Sequence, residues 1–145
     1  MTYLLGTYEY AMDARGRVPV PPRYRDLFTR GVVVSQGSPD LCLRLFTAEG
    51  FEQQAAQYTT QPGTRKAGRI VRQGFFARSY PVDLDGQGRI LVPGSLREYA
   101  RLEGNAVIVG AGEWLEIWSP ERFQAQMSVL DGLLEDTLES LGPEA

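Results

Sequence analysis

Residues 13–21 read DARGRVPVP, and residues 85–93 read DGQGRILVP. Aspartate, glycine, arginine, valine and proline recur in the second stretch 72 positions after the first (Asp13 to Asp85). The offset extends well beyond the phrase. Tyr8 matches Tyr80, Met12 matches Leu84, Val18 matches Ile90, Val20 matches Val92, Arg25 matches Arg97 and Asp26 matches Glu98. The register slips by a residue or two between VVVSQG and VIVGAG. It returns with Leu43 and Leu115, Leu45 and Ile117, Phe46 and Trp118, and Phe51 and Phe123. A period this long exceeds that of a solenoid repeat, so the chain reads as two copies of one unit forming a pseudo-symmetric pair.

Each copy reads as strand, turn, strand, short helix, strand, strand. Residues 8–13 and 80–85 have strand composition, and 17–20 and 89–92 alternate with a period of two. Pro21-Pro22 and Pro93 then open the helices RYRDLF and SLREYARL, where a proline costs no intrahelical hydrogen bond. VVVS and AVIVG are apolar strands, and the turns GSPD and GAGE lead into LCLRLF and WLEIW.

The repeated turn has a geometric reading. With Asp13 closing one strand and Arg17 opening the next, Ala14-Arg15-Gly16 form a three-residue hairpin loop. Such loops commonly end in a residue at positive φ, which glycine adopts at little cost. Gly16 holds that place, as Gly88 does in Gly86-Gln87-Gly88. Asp13 and Arg17 are then expected to face each other across a hairpin ladder, as are Asp85 and Arg89. Spacing alone leaves two roles open. Each aspartate accepts turn N–H groups and neutralises its arginine as a brace, or it holds that arginine toward a phosphate or a base edge. The loop tips differ, Arg15 against Gln87, and nothing in the turn requires an arginine at 15. Arg15 is therefore the better candidate for an outward contact.

Composition narrows the chemistry. Among 145 residues there is no histidine, and Cys42 is the only cysteine. The commonest general base and the commonest zinc ligand are thus missing, and no internal disulfide can form. One lone cysteine, expected in the core, fits a reducing cytosol. DLDGQG from Asp83 looks like the start of a calcium loop, but its twelfth position is Gly94 rather than glutamate. The pairs Gly86/Gly88 and Gly110/Gly112 lack the dinucleotide-binding spacing. No catalytic cluster, metal site, cofactor or small-molecule substrate is expected, and the chain does not read as an enzyme. No apolar run approaches the ~20 residues of a membrane span, and MTYLLGTYEY lacks the pattern of a signal peptide.

Net charge is −3, but its distribution is uneven. Residues 1–112 hold 14 basic and 10 acidic side chains, whereas residues 113–145 hold only Arg122 against eight acids. Fourteen of the fifteen basic residues are arginine, the residue suited to forked recognition of phosphate or carboxylate.

Outside the copies, residues 59–79 read as a mobile linker, because TTQPGTRKAGR has loop composition. Five basic residues and no acid lie between Arg65 and Arg78. Thr47 and Ser119 read as helix caps. The first helix is expected over 48–58. The second is longer, and Met127, Leu130, Leu134, Leu138 and Leu141 fall on one stripe. Packing on the protein's own core is the commoner fate of such a stripe; contact with another subunit is the alternative. Gly142-Pro143 marks a frayed end.

DARGRVPVPPRYRDLF, DGQGRILVPGSLREYARL and the following VIVGAGEWLEIWSPERF strongly resemble the MraZ family of bacterial transcription regulators, from Leu5 to about Phe123. The resemblance implies an α+β, mostly β fold. Two AbrB-like β-β-α-β-β repeats (7–49 and 78–121) would swap hairpins within the chain to make a pseudo-dimeric barrel. A helix and basic linker (50–77) and an acidic amphipathic C-terminal helix (122–145) would be peripheral. It also implies sequence-specific binding of double-stranded DNA at repeated operator sites, upstream of the cell division and cell wall gene cluster. The binder would be a ring-shaped homo-oligomer in the cytoplasm, associated with the nucleoid. The family's D-x-x-x-R motif, associated with DNA binding, falls on Asp13 and Arg17 and on Asp85 and Arg89. Pro19 removes a ladder donor and suggests an edge or bend.

The physics of such binding is explicit. A two-stranded ribbon fits the major groove, where Arg15 can bond bidentately to guanine. Arg17, Arg89, Arg23 and Arg25 suit phosphates, which position a protein without reading sequence. The rival reading is an AbrB-like protein-interaction module, favoured by low net charge and the apolar C-terminal stripe.

Overall fold

The structure, a computed structural model, describes residues 2–142. In chain order its elements are β1 (Thr7–Ala11), β2 (Arg17–Pro19), a 3₁₀ segment (Pro22–Phe28), β3 (Val32–Gln36), β4 (Leu43–Thr47), α1 (Ala48–Tyr58), α2 (Lys66–Phe76), β5 (Ser79–Val82), β6 (Arg89–Leu91), α3 (Gly94–Ala100), β7 (Asn105–Gly110), β8 (Leu115–Trp118) and α4 (Pro120–Leu141). Six strands form one antiparallel sheet in the order β1-β7-β8-β4-β3-β5, and β2 and β6 form a separate ribbon.

The duplication is written into this topology. Exchanging each strand with its counterpart in the other copy turns the sheet order into its own reverse. At the centre, Arg44 of β4 stands opposite Glu116 of β8, and in the ribbon Val18 stands opposite Ile90. Both pairs join equivalent positions of the two copies, so the pseudo-twofold axis runs through them. β1 pairs with β7 and β5 with β3, so each copy lends its first strand to the other.

Two expectations need correction here. Beyond each closed turn the flanking strands part company, apart from a single bridge between Leu84 and Ile90 in the second copy. β1 ends at Ala11 and joins the large sheet, while β2 pairs with β6 rather than with β1. The bend lies at buried Met12, whose N–H donates to the Gly104 carbonyl at 2.8 Å. The expected barrel also does not close, because β1 and β5 end the sheet as its two edges. The α+β class stands, but helix exceeds strand by residue count, since α2 adds 11 residues and α4 adds 22.

The ribbon lies on the sheet through alternation. Val18, Val20, Ile90 and Val92 point inward and meet Leu43, Leu45, Leu115 and Ile117, all essentially buried. Tyr24 and Phe28 from the 3₁₀ segment and Leu96 and Ala100 from α3 complete this core. Each fully buried side chain of the larger kind contributes about 1.5–3 kcal/mol. Pro19 sits in a strand with one ladder partner only, which tolerates its missing donor. Cys42 is fully buried beside Val107 and Trp118, and burial pushes its thiol pKa well up.

The linker reading of 59–79 is overturned in part, because Lys66–Phe76 form a helix. Its apolar side packs on α1: Phe75 stacks on Phe51 with ring centroids 5.4 Å apart and meets Tyr58 at 4.5 Å. The packing of the C-terminal stripe on the protein's own core is also overturned. Leu130, Leu134, Leu138 and Leu141 are exposed, as are Val129 and Leu133. Only the first turns of α4 are held, by Phe123 against Trp118 and by Arg122. Of the frayed end expected at Gly142-Pro143, Pro143 lies outside the described residues.

Candidate nucleic-acid interface

Both turns adopt the geometry their glycines require. Gly16 has φ 89° and Gly88 has φ 77°. Gly16 N–H donates to the Asp13 carbonyl, and Asp13 N–H donates to the Arg17 carbonyl, each at 3.0 Å. In the second copy the corresponding bonds are 3.0 Å from Gly88 to Asp85 and 2.8 Å from Asp85 to Arg89.

Each aspartate accepts three hydrogen bonds from its own turn. Asp13 Oδ1 accepts the N–H groups of Arg15 and Arg17 at 2.9 Å each, and Oδ2 accepts Arg17 Nε–H at 2.6 Å. Asp85 Oδ1 accepts from Gln87 N–H at 2.8 Å and Arg89 N–H at 2.9 Å, and Oδ2 from Arg89 Nε–H at 3.1 Å. Hydrogen bonds to the ionised form favour it. The Arg17 N–H, ahead of the guanidinium, therefore holds the Asp13 carboxyl down at about 2, and the Arg89 N–H lowers that of Asp85.

The two latches adjoin. Arg89 Nη1 lies 3.7 Å from Asp13 Oδ2, a link between the copies. In the ribbon, Arg17 stands opposite Leu91 and Arg89 opposite Pro19, and these four alternate with buried Val18 and Ile90. They form its outer face. Arg17 and Arg89 keep 32% and 26% of their side chains exposed, so both remain partly open to solvent.

Two further arginines brace the turns from beneath, each crossing to the other copy. Arg97 of α3 lies against Gly16, where a Cβ would come within 2.6 Å of its guanidinium carbon. Arg25 of the 3₁₀ segment lies in the same way against Gly88. Their Nε–H groups donate to the carbonyls ending the strands, Arg25 to Val20 at 2.9 Å and Arg97 to Val92 at 3.0 Å. A Cβ at either glycine would have to push the bracing guanidinium aside, so a substitution there disturbs the brace as well as the φ.

The structure thus separates the sequence-derived candidates. Arg15 is exposed at a loop tip and Arg23 is exposed in the 3₁₀ segment. Arg17 and Arg89 lie on the ribbon's face in the grip of Asp13 and Asp85. Arg25 is half-buried and supports a turn. Arg97 was not among the candidates, although its match to Arg25 in the repeat carried the signal. Among the described residues no group of three metal-ligating side chains occurs, and no helix is long and apolar enough to cross a membrane.

Comparison with known proteins covers most of the chain. The family model described as "MraZ protein, putative antitoxin-like" matches residues 3–73 and 75–137. A protein of Roseiflexus castenholzii named transcriptional regulator MraZ is 40% identical over 127 residues, 88% of each chain. One of the same name from Lactiplantibacillus plantarum is 36% identical over 136 residues, covering 94% of this chain and 96% of its own. Another from Salinispora arenicola is 35% identical over 139 residues, covering 96% and 97%.

Proposed function

Because the chain belongs to the MraZ family, we propose that it is a sequence-specific DNA-binding transcription regulator. Its target would be double-stranded DNA with repeated operator sites ahead of the cell division and cell wall gene cluster. It would act from the cytoplasm, on the nucleoid, as a ring-shaped homo-oligomer. The observation that carries this reading is the outer face of the ribbon, where the Arg17 and Arg89 guanidiniums both reach the Asp13 carboxylate and Arg15 is exposed at the adjoining turn tip. Arg15 reads guanine in the major groove; Arg17, Arg89 and Arg23 contact phosphates. Asp13 and Asp85 fix the latches, and Arg25 and Arg97 hold the turns at their height.

A net charge of −3 is compatible with this, because the acids concentrate in the C-terminal third. One chain offers few phosphate contacts. A ring that engages several sites multiplies them through effective concentration, and the exposed leucines of α4 supply apolar surface for such assembly. The same surface favours the rival reading, a module that acts by binding another protein. Retention of duplex DNA by the purified chain separates the two. The log of affinity should fall by about 0.9 per log of salt for each phosphate neutralised; retention that ignores salt supports the rival.

A further inference from the structure

Arg44 of β4 and Glu116 of β8 stand opposite each other on the pseudo-twofold axis without forming an ion pair. The glutamate is engaged by two indoles instead. Its Oε2 accepts Trp114 Nε1–H at 3.1 Å and its Oε1 accepts Trp118 Nε1–H at 3.0 Å. The Arg44 guanidinium carbon lies 4.4 Å from the Trp114 ring centroid, over the ring. An indole face attracts a cation, but stacking leaves the N–H donors unanswered. Among the described residues, the buried Arg44 Nε has no hydrogen-bond partner. A buried donor without an acceptor costs free energy, more so on a charged group.

Arg44 also lines a cavity of about 300 Å³ between the sheet and the α1–α2 pair. The lining carries two arginines, Arg44 and Arg78, and no acid, so it attracts an anion. Arg78 is exposed, which makes the second cation reachable from solvent. Gln36, Ser38 and Tyr58 add neutral donors to the wall. The Tyr58 hydroxyl accepts from Gln54 Nε2–H at 3.1 Å, so its own proton is left to donate. The rings of Tyr58 and Phe75, whose centroids lie 4.5 Å apart, supply an apolar side.

We propose that this cavity binds the phosphate monoester group of a small molecule, with Arg44 as its anchor. The planar fork suits phosphate, and its unpartnered N–H groups meet the ligand while Trp114 backs the guanidinium. Arg78 supplies the second charge. A phosphate monoester carries about −1.5 to −2 charges at neutral pH and three acceptor oxygens, a match for two cations with hydroxyl and amide donors beside them. The organic part lies on Tyr58 and Phe75. The walls come from the sheet and from both helices, so the ligand ties α1 and α2 to the sheet. The counterpart of Arg44 in the second copy is Glu116, so the site occurs once per chain.

The test is calorimetric titration of the full chain with phenyl phosphate near neutral pH. One molecule per chain is expected, with a Kd of about 1 mM or tighter, the scale for a ligand of this size. Phenol should not bind. The singly charged diester methyl phenyl phosphate should bind several-fold more weakly, which separates a monoester site from a contact with a nucleic-acid backbone. Arg44→Gln removes no ion pair or side-chain hydrogen bond made among the described residues, so it should fold. It should weaken phenyl phosphate at least about tenfold, the loss of one charged hydrogen bond. Arg78→Gln, at an exposed position, should weaken it several-fold and decides the matter if Arg44→Gln misfolds. Arg17→Ala with Arg89→Ala should leave this affinity unchanged, so the result does not depend on whether the ribbon binds DNA. Four results overturn the proposal: no saturable binding at about 10 mM phenyl phosphate, equal binding of phenol or of the diester, unchanged affinity in either cavity variant, or loss of binding in the ribbon variant.

Discussion

Asp13 Oδ2 lies 2.6 Å from Nε of Arg17 and 3.7 Å from Nη1 of Arg89, so one carboxylate touches both copies of the repeat. The contact brings the two latches together over the pseudo-twofold axis. On the proposed reading, a pair of arginines so placed would neutralise phosphates as a unit, whereas two arginines on opposite faces would engage separate duplexes.

The first prediction concerns that pair. Arg17→Ala combined with Arg89→Ala should weaken DNA binding by at least about 100-fold and reduce the salt slope by about 2, one unit for each phosphate no longer neutralised. The turns retain their backbone hydrogen bonds and buried Val18 and Ile90, so the circular dichroism spectrum should be unchanged. Unfolding of the double variant would assign the pairs to structure instead.

A second prediction follows from the braces beneath the turns. Gly88→Ala and Gly16→Ala each place a Cβ at positive φ and against an arginine. The backbone cost alone is roughly 1–2 kcal/mol. Chemical denaturation should register a loss of at least that size for each. Adding Arg97→Ala to Gly16→Ala should recover part of it by removing the collision, and purely additive effects would contradict the brace.

Acid should release the latch within a defined window. The Asp13 carboxyl is held at about 2 in the folded chain, against about 3.9 when unfolded. Because the folded value is the lower one, the stability Asp13 contributes is complete above about pH 4 and is lost as pH falls through about 2. Carboxyl-carbon NMR should give Asp13 a midpoint near 2, with Asp85 also below its ordinary value. An ordinary midpoint for Asp13 would mean that the turn hydrogen bonds do not persist in solution.

The fourth prediction concerns α4. Beyond Met127 its residues are exposed, with Leu134 and Leu138 both 56% accessible. Isolated helices this short are marginal in water, so an uncovered leucine stripe calls for a partner surface. Leu134→Ser with Leu138→Ser should lower the mass measured by light scattering toward that of a single chain. An unchanged mass would remove α4 from the assembly interface.

How much of this was legible depended on the range of the interactions. The turns could be read because their determinants lie within five residues: Asp13 accepts from Arg15 and Arg17, and Gly16 supplies the positive φ. The parting of β1 from β2 could not, since it rests on Met12 reaching Gly104 and on ladders formed between the copies. Helix α2 was hidden by Gly68 and Gly74, which depress helix propensity. Its stabilising contacts, Phe75 on Phe51 and Tyr58, are tertiary. The leucine stripe of α4 was visible, but periodicity gives a face and not what covers it. Arg97 needed the repeat to be laid onto the fold.

DNA reading by the arginine-bearing ribbon is tested most directly by the sequences that the purified chain selects from a random duplex pool at stated salt. Enrichment of one short motif in repeated copies at fixed spacing is expected. Arg15→Ala should keep retention but flatten the base preference, and the Arg17/Arg89 double variant should retain almost nothing. A pool that emerges unenriched at low salt, or enrichment that survives loss of all three arginines, would contradict that role for the ribbon.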